Sequence, residues 1–277
     1  MAASFHVRSN SLPTKSHPFT SEIEETLSRL RSSQAASNIG HIINGLQDLH
    51  DCVDKILQLP LTQQALSQIS NRKLVDELVN GSLRILDICS IAQNALLQPN
   101  QSIQGLQSAL RRRKGDETEL TSEIKKYLAS RKAVKKTIHK ASGNLKGMEN
   151  KCLSPLNEKQ VSMLKEVEEV TFTAFESLLS LIAGRRTGSM LSGFSLVSKL
   201  ILPKRIACQE DKNDVNEFGK VDAALIDHKT IKSYNIFCLQ NQLKELESSI
   251  QYLEEGLESL SRRLIKARVS LLNILSN

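Results

Sequence analysis

Tryptophan is absent from this 277-residue chain, and aromatic residues make up only 4% of it. Strands are enriched in aromatic and β-branched residues, whereas Leu, Glu, Lys and Gln, which are abundant here, are good helix formers. The composition therefore argues against a sheet protein and favours an all-α fold. Because the chain has no aromatic residues interleaved with basic ones, on which bases could stack, we expect no nucleic-acid partner.

Cysteine is scarce and scattered along the chain. Cys52, Cys89, Cys152, Cys208 and Cys238 are odd in number and never form a C-x-x-C pair. This spacing argues against a disulfide framework and against a zinc knuckle, so we predict a reducing compartment. No histidine stands at metal-ligand spacing from another histidine or a cysteine. We therefore expect neither a metal nor another cofactor.

Long apolar runs are also missing. The nearest, residues 190–202, has 13 residues and contains Lys199, whereas a membrane-spanning helix needs about 18 or more apolar residues. Residues 1–18 contain no apolar core of a secretory signal. We expect a cytoplasmic protein that does not cross a membrane, although it could lie at a membrane surface.

Catalytic motifs are lacking as well. The chain contains no Walker sequence, nucleophile elbow or H-E-x-x-H. His50 and Asp54 formally spell the H-x-x-x-D of some acyltransferases, but they lie within a helical pattern and no oriented partner accompanies them. We interpret them as a surface pair one helical turn apart, and we expect no enzyme activity.

The chain does contain a long helical seam, by which we mean a continuous line of apolar residues along one side of a helix. Apolar residues recur at alternating steps of three and four along residues 236–274. In a dimeric coiled coil, the positions beside the apolar seam usually carry complementary Glu and Lys residues. The flanking positions here do not form such a pattern, so we favour packing of the seam within one chain. Beyond the seam's centre, Ile265, Val269, Leu272 and Leu275 broaden the stripe and predict burial on several sides. The packing residues of the seam are Leu243, Leu246, Ile250, Leu253, Leu257, Leu260 and Leu264.

The remaining pattern predicts an elongated helical bundle with a long, coiled-coil-like C-terminal helix. We expect a disordered tail over residues 1–19 and one bundle domain over 20–277, with a flexible insertion at about 184–219. Ser21 and Glu24 form a capping box that starts the first helix. The other predicted helices span residues 38–59, 61–69, 72–98, 103–114, 118–148, 157–183 and 220–274, and Pro99 ends the 72–98 helix.

The net charge of +7 is concentrated in one region. Residues 111–146 carry twelve Lys or Arg against four acidic residues, and the predicted helix 118–148 is basic and amphipathic. Three interpretations remain open: a solvated outer face, a surface for an acidic protein, or a peripheral contact with anionic lipid. The candidate residues are Lys125, Lys126, Arg131, Lys132, Lys135, Lys136 and Lys140.

The N-terminal tail contains a phosphorylation-dependent docking motif. Arg8, Ser11 and Pro13 match the R-S-x-S-x-P arrangement that 14-3-3 proteins bind once the second serine is phosphorylated. Short basic-Ser-Pro strings also arise often by chance, so 14-3-3 docking at this position is a candidate interaction and a chance match is the alternative.

Several longer strings resemble a known family. They include LQDLHDCVD at 46–54, GSLRILD at 81–87, LQSALRRR at 106–113 and RLIKARVSLLNIL at 263–275. Together with residues 1–13, 127–132 and 195–199, they resemble the plant-specific BYPASS-like family of unknown function. The resemblance implies a plant intracellular protein that acts in root and shoot development and restrains a root-derived signal, with no established catalytic residues. We therefore expect a non-catalytic helical scaffold or adaptor with a protein partner, the alternative being a peripheral membrane module that uses helix 118–148.

Overall fold

The computed structural model describes residues 18–33, 39–69, 72–112, 117–146, 159–184, 216–226 and 233–276. All regular structure within these ranges is α-helical, which confirms the all-α prediction. The helices are α1 (Pro18–Ser33), α2 (Ile39–Leu57), α3 (Pro60–Ser67), α4 (Arg72–Arg111), α5 (Glu117–Lys146), α6 (Lys159–Ile182), α7 (Glu217–Ile226) and α8 (Ser233–Ser276).

Helix α8 packs lengthwise on α2 and α4. It runs parallel to α2, since Gln47 Nε2 donates to the carbonyl of Gly256 at 3.0 Å and Lys266 pairs with Asp54 at 2.8 Å. It runs antiparallel to α4, where Gln107 Nε2 donates to Glu247 at 2.8 Å. All seven packing residues of the seam are at most 4% exposed, so the seam packs within the chain, as the bundle interpretation predicts. The coiled-coil character of α8 stays a prediction.

The predicted burial of α8 on several sides beyond Leu264 is wrong. Ile265 and Val269 are each 50% exposed and Leu272 is 37% exposed. Leu271 and Ile274 continue the buried seam there. Within the described part of the chain, neighbouring helices cover only the seam side of this end of α8.

Two helix boundaries that differ from the prediction lie at prolines. Helix α4 continues through Pro99, whose side chain is buried. A proline inside a helix costs about 3 kcal/mol, and the packing of α4 against both α5 and α8 offsets this cost. Helix α1 begins at Pro18, which suits a first helical position because the missing N–H needs no partner there. Ser21 therefore lies inside α1 and does not cap it.

The predicted single helix from Lys220 to Ile274 is wrong. The structure has two helices, α7 and α8, which pack against each other, and residues 227–232 lie outside the described residues. Helix α7 begins at Glu217, so the last three residues of the predicted insertion are helical. Most of that insertion lies outside the described residues.

Gly256 marks the closest approach of α8 to α2. A Cβ built at Gly256 would lie 2.5 Å from Cγ2 of Ile43, whereas one built at the exposed Gly143 of α5 would meet nothing within 4 Å. We expect Gly256→Ala to lower the free energy of unfolding by up to about 2 kcal/mol, because overpacking costs about 1–3 kcal/mol and the better helix propensity of alanine offsets about 1 kcal/mol of it. The matched control Gly143→Ala should raise it by about 0.5–1 kcal/mol, because alanine is the better helix former. Urea titration of both variants checks the opposite signs, and a stabilising Gly256→Ala would contradict the close approach.

Candidate functional site

Four lysines on the outer face of α5 form what we call the lysine stripe: Lys125, Lys132, Lys136 and Lys140. All four are exposed, and none makes an ion pair with another described residue. Their spacing places them within about 80° of the helix circumference and along about 22 Å of its length. After Glu123, helix α5 has no acidic residue to neutralise them. The stripe is therefore a continuous positive surface.

The other three predicted basic residues behave differently. Lys126 is exposed but pairs with Glu123 at 2.7 Å. Lys135 is half exposed and pairs with Asp222 at 2.7 Å. The placement of Arg131 on the basic surface is wrong, because this side chain is only 2% exposed and pairs with Asp222 on α7.

The opposite face of α5 is committed to the core. Ile124, Tyr127, Val134 and Ile138 are all at most 6% exposed. In this fold the apolar side of the basic amphipathic helix is thus unavailable to a lipid bilayer, and only its charged side faces outward.

A buried ionic cluster joins α5 to α7. Asp222 accepts hydrogen bonds from Arg131 Nε at 3.0 Å, from the Tyr127 hydroxyl at 3.0 Å and from Lys135 Nζ at 2.7 Å. The Arg131 guanidinium also lies over the ring of Phe218, 4.8 Å from its centroid. This network fixes α7 on the bundle.

The protonation states in the cluster follow from burial and charge. Burial by itself raises the pKa of Asp222, but the hydrogen bonds and charges of Arg131 and Lys135 outweigh this effect and hold the pKa below its usual value. Burial raises the pKa of Tyr127, so its hydroxyl stays protonated and donates. The cluster therefore stays charged and links α5 to α7.

The buried position of Asp222 was not predicted from the sequence, although one sequence pattern indicated it. Phe218, Val221, Asp222 and Leu225 are the buried residues of α7, and their spacing places them on one face of the helix. An acidic residue on the apolar face of a short helix needs a buried cation as its partner. The partner itself lies 91 residues away in the chain.

The interpretation of His50 as a surface residue is wrong. His50 is 4% exposed, and its Nε2 lies 3.2 Å from the hydroxyl of Thr171 on α6, while its Nδ1 has no hydrogen-bond partner among the described residues. Burial, which disfavours the charged imidazolium, lowers the pKa of His50 to about 4. Asp54 instead pairs with Lys266. One sequence pattern could have predicted this burial. The spacing of Ile43, Leu46, His50 and Val53 places His50 on the apolar stripe of α2.

Two predicted features fall outside the described residues. They are the docking motif of Arg8, Ser11 and Pro13 and the apolar run 190–202. 14-3-3 docking therefore stays a prediction. Among the described helices, none combines the length and the apolar character needed to span a bilayer.

Comparison with known proteins places the chain in a family. No curated protein and no solved structure matches it. The family model described as Protein BPS1 matches residues 43–274, which are most of the chain and include all or nearly all of helices α2 to α8. This match confirms the resemblance to the BYPASS-like family. The chain therefore belongs to the BPS1 family.

Proposed function

We propose that this protein is a non-catalytic helical scaffold or adaptor whose lysine stripe binds an acidic segment of a partner protein. The observation that carries the proposal is the set of four exposed lysines on one face of α5 that form no ion pair with any described residue. The N-terminal tail, with Ser11 phosphorylated, provides a second recruiting element. The role serves the root and shoot development that the resemblance implies.

Charge and position support a discrete acidic partner. The stripe lies on a helix held in place by the bundle, so the backbone positions of the four lysines are fixed and their flexible side chains can reach carboxylates along an acidic segment. After Glu123, α5 itself offers no carboxylate that would compete with a partner's for these lysines.

The alternative is a peripheral membrane module. Basic residues near an anionic leaflet contribute about 1 kcal/mol each, so the stripe alone could attract such a surface. Amphipathic helices that bind membranes also bury an apolar face in the headgroup region. Because Ile124, Val134 and Ile138 are buried in the core, α5 lacks this second contribution. A protein partner is therefore the function that we favour.

Charge reversal tests the stripe. We expect Lys132→Glu combined with Lys136→Glu to weaken binding of an oligoglutamate peptide at least about tenfold, because two attractive charges become repulsive. Fluorescence anisotropy of the labelled peptide at low and physiological salt measures this, and binding should weaken as salt rises. The matched control is Lys244→Glu on α8, an exposed lysine without an ion pair to a described residue, which should change affinity little.

Three results would count against the acidic partner. Equal binding by the double variant would remove the stripe as the site. Equal loss in Lys244→Glu would indicate attraction to net charge alone. Binding to phosphatidylserine vesicles without binding to oligoglutamate would favour the membrane module instead.

A further inference from the structure

A partly open cavity of about 70 Å³ lies where α2, α4, α6 and α8 converge. Its wall is mainly aliphatic, with Val53, Leu78, Val167 and Leu264 among the lining residues. An engineered cavity of about 150 Å³ with such a lining stays dry and holds benzene, so this one has room for about three carbon atoms. The cavity therefore fits a short alkyl group.

Polar groups interrupt this apolar wall. Arg268, Glu168 and Ser82 line the cavity and are only partly buried, which places them towards its open side. His50 lines it too, and its Nδ1 is left without a hydrogen-bond partner among the described residues. The site thus combines an apolar interior with a polar side.

At the open side of the cavity, the carboxylate is already paired, whereas one guanidinium has no carboxylate partner among the described residues. Glu168 is already paired, with Arg84 at 2.7 Å and with Lys165 at 3.5 Å. The guanidinium of Arg268 donates through Nη1 to Ser82 Oγ at 2.6 Å and to the carbonyl of Val79, but no described carboxylate pairs with it. A half-buried guanidinium with unused donors suits a carboxylate, which it can bind through two hydrogen bonds.

We propose that this cavity binds a small carboxylate with a short branched alkyl group, whose branched three-carbon end occupies the cavity and whose carboxylate pairs with Arg268 at the open side. The lowered pKa of His50, about 4, leaves its imidazole neutral near pH 7, so the interior wall carries no charge that would oppose an alkyl group. The absence of a side chain at Gly81 leaves room for the carboxylate of Glu168, which a Cβ at that position would overlap. The proposal is independent of the lysine stripe on α5.

Isovalerate is the probe for the test. Its binding to the full-length chain can be followed through the methyl resonances of residues that line the cavity, such as Val53, Leu264 and Leu271. We expect saturable shifts with a dissociation constant on the order of 1 mM, as suits seven non-hydrogen atoms. Isovaleramide, which has the same shape without the charge, should bind at least about tenfold more weakly. Acetate, which has a single methyl group in place of the branched alkyl group, should leave these methyl groups unshifted.

Two variants separate the carboxylate contact from the cavity. Arg268→Gln should weaken isovalerate at least about tenfold while leaving the affinity for isovaleramide nearly unchanged. Ala267→Leu, which adds three carbon atoms to the cavity wall and keeps Arg268, should abolish binding of both probes while the helix content measured by circular dichroism is retained. The lysine-stripe variant Lys132→Glu with Lys136→Glu should bind isovalerate normally.

Other outcomes would overturn the proposal. Acetate shifting the same methyl groups, or equal affinity for isovalerate and isovaleramide, would show that the cavity does not select a branched carboxylate. Unsaturable shifts, or isovalerate binding retained in Ala267→Leu, would show that the cavity is not the site.

Discussion

We expect Asp222→Ala to lower the stability of the α5–α7 joint by about 3–5 kcal/mol, because removing one partner of a buried ion pair leaves an uncompensated charge. Arg131, at 2% exposure, would lose its carboxylate partner, and the Tyr127 hydroxyl would lose its acceptor. Urea unfolding measures the global effect. Hydrogen exchange of the α7 amides measures local release of α7, which is the expected result if the bundle stays folded without it.

Lys135→Ala is the matched control, since it removes the other cation on the same carboxylate. The Lys135 side chain is 45% exposed, and ion pairs of exposed lysines contribute about 0–1 kcal/mol. The triple variant Arg131→Met, Asp222→Leu and Tyr127→Phe should recover most of the stability, because it replaces the buried pair by apolar residues and also removes the buried hydroxyl that would lose its acceptor. An Asp222→Ala effect no larger than that of Lys135→Ala would contradict the structural role of the cluster.

The second large effect is a loss of stability in mild acid caused by His50. Its pKa is about 4 in the folded protein, against about 6.5 when unfolded. The unfolded chain therefore binds more protons between these two values, so stability rises with pH across this window. From pH 6.5 down to pH 4 the fold should lose about 3 kcal/mol from this residue alone. Above the window His50 contributes no pH dependence.

Burial is the main cause of the lowered pKa of His50. Of the nearby charges, Asp51 opposes the shift and Arg263 adds to it. Urea unfolding at a series of pH values gives the slope, and the titration of the His50 ring proton in NMR spectra gives the pKa directly. His50→Gln should flatten the slope between pH 4.5 and pH 6.5, whatever its stability at pH 7. An unchanged slope in that variant, or a ring pKa near 6.5, would contradict a buried neutral imidazole.

Asp222 titrates in a different range and can be separated from His50. Its pKa is lowered, so the stability that it contributes is present above its unfolded pKa of about 4 and is lost as the pH falls through its folded value. The His50 window lies mostly above that range. A slope that persists below pH 4 in His50→Gln is therefore expected and belongs to the carboxyl groups.

The sequence predicted the helices well because their evidence is local. The seam of α8 and the apolar faces of α2 and α6 follow from residue spacing, which fixes the side of a helix on which a residue lies. Boundaries were less predictable where tertiary packing mattered. Pro99 stays inside α4 because two neighbouring helices hold it, and no pattern around Pro99 itself reports those neighbours.

The candidate sites were predictable in part. The exposure of Lys125, Lys132, Lys136 and Lys140 follows from their shared face on a basic amphipathic helix. Arg131 belongs to the same charged stretch, but its partner Asp222 lies on another helix, so its burial was not predictable from local sequence. The cavity beside His50 is lined by residues of four helices, so local sequence patterns could not predict it.

The sequence alone thus determined the all-α class, the seam, the basic outer face of α5 and, through several strings, the resemblance to the family. Periodicity carries this information because it separates one face of a helix from the other. Only the tertiary structure decided which element covers each face. It buried His50 and Arg131, exposed Ile265, Val269 and Leu272, and left Arg268 without a carboxylate partner in the described part of the chain. The reason is that burial and pairing depend on contacts between residues far apart in the chain, which local patterns do not encode.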